Sequence, residues 1–323
     1  MISANLIVLG LCFNLLFVYH VNADEAQKTK KLAYLVSDMK IPFWEIMSRG
    51  IQDSAADLGY SIEIYSAANS RKTELKNTLK VIKNKVDGII VSPTSSSACS
   101  TILKFSNKAN IPVVISDIGT DGGDYVSYIS SNNFQGAYEI GKVLANKIES
   151  LDWKNSEVGI VAIPQKRLNG QARTTGFMKA MNEAGIKGSD LKQQKTWTED
   201  ETYQYSLNMI NEHPKLRAIW LQGSNRYQGA LRAIEETNNK EKVLLITFDA
   251  EPEFLDLIPQ GVLVGSAMQQ PYLMGKKAVQ TLVQHLQGKK VQQQIQLPIL
   301  AISSENIQQK LPVIRLNVLG IKD

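Results

Sequence analysis

The sequence predicts an α/β protein built as two doubly wound parallel-sheet lobes. Three observations carry that prediction. Beyond residue 31, short apolar runs rich in β-formers alternate with amphipathic helical stretches, the pattern of parallel sheets covered by helices. The runs fall into two successive groups of similar size. The chain has 323 residues, 43% hydrophobic and 21% charged, which suffices for about two domains and excludes a disordered or fibrous polymer.

The first segment is an address rather than part of the fold. Residues 6–21 form one apolar run, shorter than the roughly 20 apolar residues a membrane span needs. It ends at Val21-Asn22-Ala23, a small-residue pattern suited to signal peptidase, and Asp24-Glu25 open a polar stretch. Residues 1–23 are therefore expected to be a signal peptide cleaved after Ala23, with retention as an N-terminal anchor the alternative. Leu11 before Cys12 is too bulky for a lipidation signal. The mature chain would keep one cysteine, Cys99, and so form no internal disulfide. Cys99 reads as a plain small residue at a helix start.

Strands of the first group are placed at residues 32–37, 61–65, 88–92, 113–117 and 125–129, and those of the second at 158–163, 192–196, 218–221, 243–248 and 263–268. Helices fall between them at 42–58, 74–83, 134–149, 172–184, 202–212 and 272–286. The first helix shows the logic. Pro42 suits the first helical position, Trp44, Met47, Ile51, Ala55 and Leu58 recur at three- and four-residue spacing, and Gly59 stops the helix.

Composition then narrows the chemistry. Thirty-six Lys and Arg against 31 Asp and Glu give a net charge of +5, but the lysines are scattered, so a nucleic-acid partner is not expected. Three histidines and two cysteines leave little material for a metal centre or a catalytic triad, and no cofactor or metal is expected. His213 and His285 read as surface or structural residues. No G-x-S-x-G elbow, H-E-x-x-H or phosphate loop is present, so an enzyme is not expected. The one enzymatic alternative is a carboxylate pair, Asp117 and Asp249, facing one cleft as in glycoside hydrolysis.

In doubly wound sheets, ligands bind outside the carboxyl ends of the strands. The first strand is followed by Asp38, Lys40, Ile41, Phe43 and Trp44. Later strands end at Asp117, Trp197, Gln222 to Asn225, Asp249 and Gln269, and Arg173 lies near a helix start beside Gln171. Flat rings for C–H faces, with carboxylates, amides and a guanidinium for hydroxyls, are the vocabulary of a polyol site.

Taken together, these pieces resemble the type I periplasmic binding proteins of the ribose- and galactose-binding family, whose fold also forms the effector domain of LacI-like repressors. The resemblance covers nearly the whole mature chain. It rests on Pro42-Phe43-Trp44, Val86-Asp87-Gly88 through Ser92-Pro93, Ile111-Pro112-Val113-Val114, Ser116-Asp117, the box Arg173-Thr174-Thr175-Gly176-Phe177, Phe248-Asp249 and Gln269-Gln270-Pro271. It implies ligand contacts from Phe43, Trp44, Asp117, Arg173, Trp197, Asn225, Asp249 and Gln269. Each has a structural alternative: Asp249 as a helix cap, Asp117 as a turn former, and one of Phe43 and Trp44 as core. The family's pattern is broken at Ile41, Ile118 and Gly223, which stand where ribose binders carry asparagine, arginine and asparagine. That implies a different polyol, or the sensor branch of the fold represented by LuxP-like and TorT-like proteins.

The resemblance further implies a periplasmic monomer that closes on a sugar or similar small polar ligand and hands it to the permease of an ABC transporter. The alternative partner is a membrane sensor kinase. Crossings are expected near residues 130–132, 260–262 and 292–297, giving one lobe of residues 31–130 and 261–291 and another of 131–260 and 292–323.

Overall fold

The computed structural model describes residues 30–322, so the expected signal peptide lies outside the described residues. Two sheets of six strands form the molecule. The first contains β1 (Lys30–Val36), β2 (Tyr60–Ser66), β3 (Gly88–Ser92), β4 (Val113–Ser116), β5 (Ser127–Ser131) and β11 (Gln294–Leu297). Its order is β11-β5-β4-β3-β1-β2, all parallel. The second contains β6 (Glu157–Ala162), β7 (Lys187–Gln193), β8 (Leu216–Leu221), β9 (Leu244–Phe248), β10 (Gly265–Met268) and β12 (Leu300–Ser303). Its order is β12-β10-β9-β8-β6-β7, with only the β10–β12 pair antiparallel.

Helices cover both faces of each sheet: α1 (Pro42–Asp57), α2 (Arg71–Lys83) and α3 (Ser96–Lys108) on the first, α4 (Asn133–Ser150), α5 (Leu168–Glu183), α6 (Glu199–Glu212), α7 (Tyr227–Glu236) and the short α8 (Phe254–Leu257) on the second. Strand alternation explains the double cover. Leu32, Tyr34 and Val36 pack with Met47 and Ile51, while Ala33 and Leu35 point the other way onto Val81, Ile102 and Leu103. Cys99 is buried among this second set, and burial pushes its thiol up to about 12, so it stays a protonated small residue.

The chain crosses between lobes three times. After β5 it enters the second lobe at Asn132, where α4 packs on α5. After β10 it returns at Gln269-Gln270, where α9 (Pro271–Leu286) packs on α1. Between β11 and β12 it crosses again at Pro298-Ile299. The last two crossings differ from the sequence expectation of 260–262 and 292–297. β10 pairs with β9 and so belongs to the second lobe, whereas β11 pairs with β5 and belongs to the first. Periodicity identifies a strand but not its neighbours.

Other boundaries moved for local reasons. The strand expected at 192–196 is β7, at Lys187–Gln193, a polar strand at the edge of its sheet with no apolar run to mark it. The strand expected at 125–129 begins at Ser127 and runs on to Ser131, where β11 continues the pairing. Helix α2 starts at Arg71 because Ser70 caps it by accepting from the Thr73 N–H, and α6 starts at Glu199 because Thr198 accepts from Glu201. Past β12, α10 (Ile307–Val313) and a π-turn at Ile314–Val318 finish the described chain. Ile307, Ile314 and Val318 bury into the second lobe, while Arg49 on α1 donates to the carbonyl of Leu319 at 2.8 Å.

Candidate functional site: a cavity between the lobes

The carboxyl ends of strands from both sheets meet at one narrow cavity of about 60 Å³ between the lobes. Phe43, Trp44, Asp117, Arg173, Trp197, Asn225, Asp249 and Gln269 all line it. The first lobe supplies Phe43 and Trp44 from the start of α1 and Asp117 from the end of β4. The second supplies Arg173 from α5, Asp249 after β9, and Trp197 and Asn225 from loops, while Gln269 sits at the crossing after β10.

Phe43 and Trp44 both reach the cavity, edge to face at 6.3 Å between ring centroids. Trp44 also packs into the first-lobe core, and its indole N–H donates to Asp117 Oδ2 at 3.3 Å. Asp117 is 6% exposed. Burial raises its carboxyl from 3.8 to about 6, against the pull of Arg173. Burial likewise raises Asp249, opposed by Arg173 and by the amide of Gln269, which donates to Asp249 Oδ1 at 2.7 Å.

Arg173 is the most tightly held group. Its Nε donates to Asn133 Oδ1 at 2.8 Å, its Nη1 to the carbonyl of Gln222 at 2.6 Å, and Asp249 Oδ2 lies 3.6 Å away. The guanidinium lies 3.8 Å from the ring centroid of Phe248. With Nε and Nη1 held by the protein, Arg173 orients Asp249, whose carboxylate lines the cavity. Gln269 keeps its Oε1 buried without a hydrogen-bond partner among the described residues, an acceptor that a ligand hydroxyl would satisfy.

Three of these residues hold a left-handed backbone: Asp117 at φ 67°, Trp197 at φ 60° and Asp249 at φ 70°. A non-glycine residue there is strained; Asp117 and Asp249 make that turn directly at their strand ends, Trp197 in the loop after β7. Trp197 is flanked by two cations, with Arg167 5.7 Å and Arg226 5.5 Å from its ring centroid, and Arg226 Nε also donates to its carbonyl.

The sequence missed Asn69, Arg167 and Asn169, which also line the cavity. All three lie beyond the strand ends in loops or at a helix start, where no apolar run points to them. Asp38, Lys40 and Gln171 stay outside the lining; Asp38 accepts from Asn69 at 3.0 Å and Gln171 donates to the carbonyl of Gln165. Ile41 and Gly223 do line the cavity, whereas Ile118 is buried in the first-lobe core.

Residues 32–290 match the family described as the periplasmic binding protein domain. The chain is 29% identical over 262 residues to the ribose import binding protein of Escherichia coli K12, covering 81% of this chain and 86% of that one. A solved solute-binding protein of an ABC transporter from Actinobacillus succinogenes, with bound D-allose, shares the fold at TM-score 0.81 and 22% identity, over 87% of this chain and 100% of that one. A carbohydrate transporter solute-binding protein from Agrobacterium radiobacter, in complex with D-arabinose, does so at 0.82 and 22%, over 91% and 100%. The two-sheet fold, the cavity at its strand ends and the family match over most of the chain together make this protein a type I periplasmic binding protein of the ribose and galactose family.

Proposed function

We propose that the protein captures an uncharged sugar in the cavity between its lobes and delivers it to the permease of an ABC transporter in the periplasm. The observation that carries this reading is the cavity itself, in which both lobes contribute aromatic rings, carboxylates and amides to one small volume. Its charges balance. Asp117 and Asp249 face Arg167 and Arg173, so a neutral polyol costs less to bury there than an acid or an amine. Relatives named for ribose import support uptake over the alternative of a sensor kinase partner. Binding would draw the lobes together by hinge motion at the three crossings, and the closed form is what the permease would recognise.

The direct test is a thermal-shift series with D-ribose, D-allose, D-arabinose and other sugars. A ligand bound only by the native state raises Tm by mass action, about 2.7 kcal/mol of added stability at a hundredfold excess over Kd. A panel in which no sugar moves Tm would sink the carbohydrate assignment. The sugar should be recovered unchanged, because the reading is of binding without catalysis. The proposed cleavage after Ala23 is checked by the N-terminal mass of exported protein, which should begin at Asp24.

A further inference from the structure

Arg167 belongs to the second lobe, at the N-terminal boundary of α5, yet it bonds to the first. Its Nη2 donates to the carbonyl of Thr94 at 3.3 Å, in the turn between β3 and α3. That carbonyl is anchored from behind. Glu74 of α2, 3% exposed, accepts from the Thr94 N–H and from its hydroxyl, each at 2.7 Å. Asp117, on the same lobe as Thr94, adds charge attraction for Arg167, while Arg173 beside it repels. On its other side Arg167 lies against Trp197.

We propose that Arg167 is a latch between the lobes, a positioning residue that holds the cleft shut through Thr94. Rotation of either lobe about the crossings breaks its bond to a carbonyl that Glu74 keeps in place. The latch therefore adds to the closed population before any ligand arrives and slows ligand escape afterwards. A charge-assisted bond of this kind corresponds to roughly a tenfold change in the ratio of open to closed forms. Only the escape half of the inference rests on the sugar-binding reading.

The test measures the interlobe distance in ligand-free protein, with spin labels at Lys76→Cys on the first lobe and Asn211→Cys on the second, both exposed sites. Arg167→Met should shift the distance distribution toward longer values, with about a tenfold rise in the open fraction. Glu74→Gln should shift it in the same direction, since it loosens Thr94 without touching the second lobe. Arg167→Lys should recover part of the closed population. Where D-ribose binds the wild type, its dissociation from Arg167→Met should be about tenfold faster. Unchanged ligand-free distances in both Arg167→Met and Glu74→Gln would overturn the latch, including the case where D-ribose affinity falls and Arg167 is simply a ligand contact. Should D-ribose fail to bind the wild type, the distance measurement still decides the latch on its own.

Discussion

Asp117 and Asp249 hold the same place in the two lobes. Each follows the last residue of a strand, each donates its N–H to the next strand along, to Ile129 and Ala267 respectively, and each bends through a left-handed φ. Each is then buried as a carboxylate, and that has a pH signature. Because the folded state raises Asp117 to about 6, folding takes up a proton between about pH 4 and pH 6, and stability is lost as the pH climbs through that window. The group opposes folding at pH 7 by about 3 kcal/mol at most. Urea midpoints of ligand-free protein should fall across that range. Asp117→Asn should flatten part of the slope, with Asp249, Glu74 and Glu251, whose carboxyls burial also raises, contributing to the rest; an unaltered slope would show that Asp117 does not titrate there. Trp197→Ala removes the cavity ring of the second lobe, and the affinity for whichever sugar binds should drop at least about tenfold (~1.4 kcal/mol), read by calorimetry. Asp117 and Asp249 were legible in the sequence because each follows an apolar run directly. Arg167 was not, since nothing in its surroundings distinguishes it from a surface charge until α5 is placed against the first lobe.

At the scale of elements, both lobes are closed by the same device. In each, the helix after the lobe's first strand lies against the helix that follows a crossing, α1 against α9 and α5 against α4, and a glycine permits the contact. A Cβ added to Gly50 would stand 2.2 Å from the carbonyl oxygen of Tyr272, and one added to Gly176 would stand 2.1 Å from that of Phe134. Gly50→Ala and Gly176→Ala should each destabilise by about 1–3 kcal/mol in urea, because backbone atoms rather than a movable side chain must give way. Gly122→Ala meets nothing within 4 Å and should stay within about 0.5 kcal/mol of wild type. Equal midpoints for all three variants would contradict the account. The helices α1, α2, α4, α5, α6 and α9 and the central strands were readable from periodicity because both faces of each sheet are covered, whereas α3 and α7 were not placed. The edge strand β7, half polar and open to water, was not, and the sheet membership of β10 and β11 depends on pairing partners far away in sequence.

For the whole molecule, the tail after β12 matters as much as the crossings. Asn317 donates to Gln270 Oε1 at 3.0 Å, and Gln270 donates to the carbonyl of Pro298 at 2.9 Å, so one buried amide ties the second and third crossings to the tail. Lys322 pairs with Asp53 at 2.9 Å on α1, and Tyr272 bonds the same carboxylate at 2.7 Å. Gln270→Ala should loosen this junction, seen as faster amide exchange at residues 299–300 and 317–320 with the interior of both sheets unchanged; equal exchange rates would dismiss the tie.

The crossings also set the order in which the molecule can be finished. The first lobe lacks α9 and β11 until all of the second lobe except β12 and α10 has been made, so Met47, Ile51 and Gly88 miss their α9 neighbours while most of the chain already exists. A fragment ending at residue 270 lacks α9 and β11 of the first lobe as well as β12 and α10 of the second, and should accordingly show no cooperative unfolding of the first lobe by circular dichroism. A half that cannot be completed until late in synthesis is a delay built into connectivity itself.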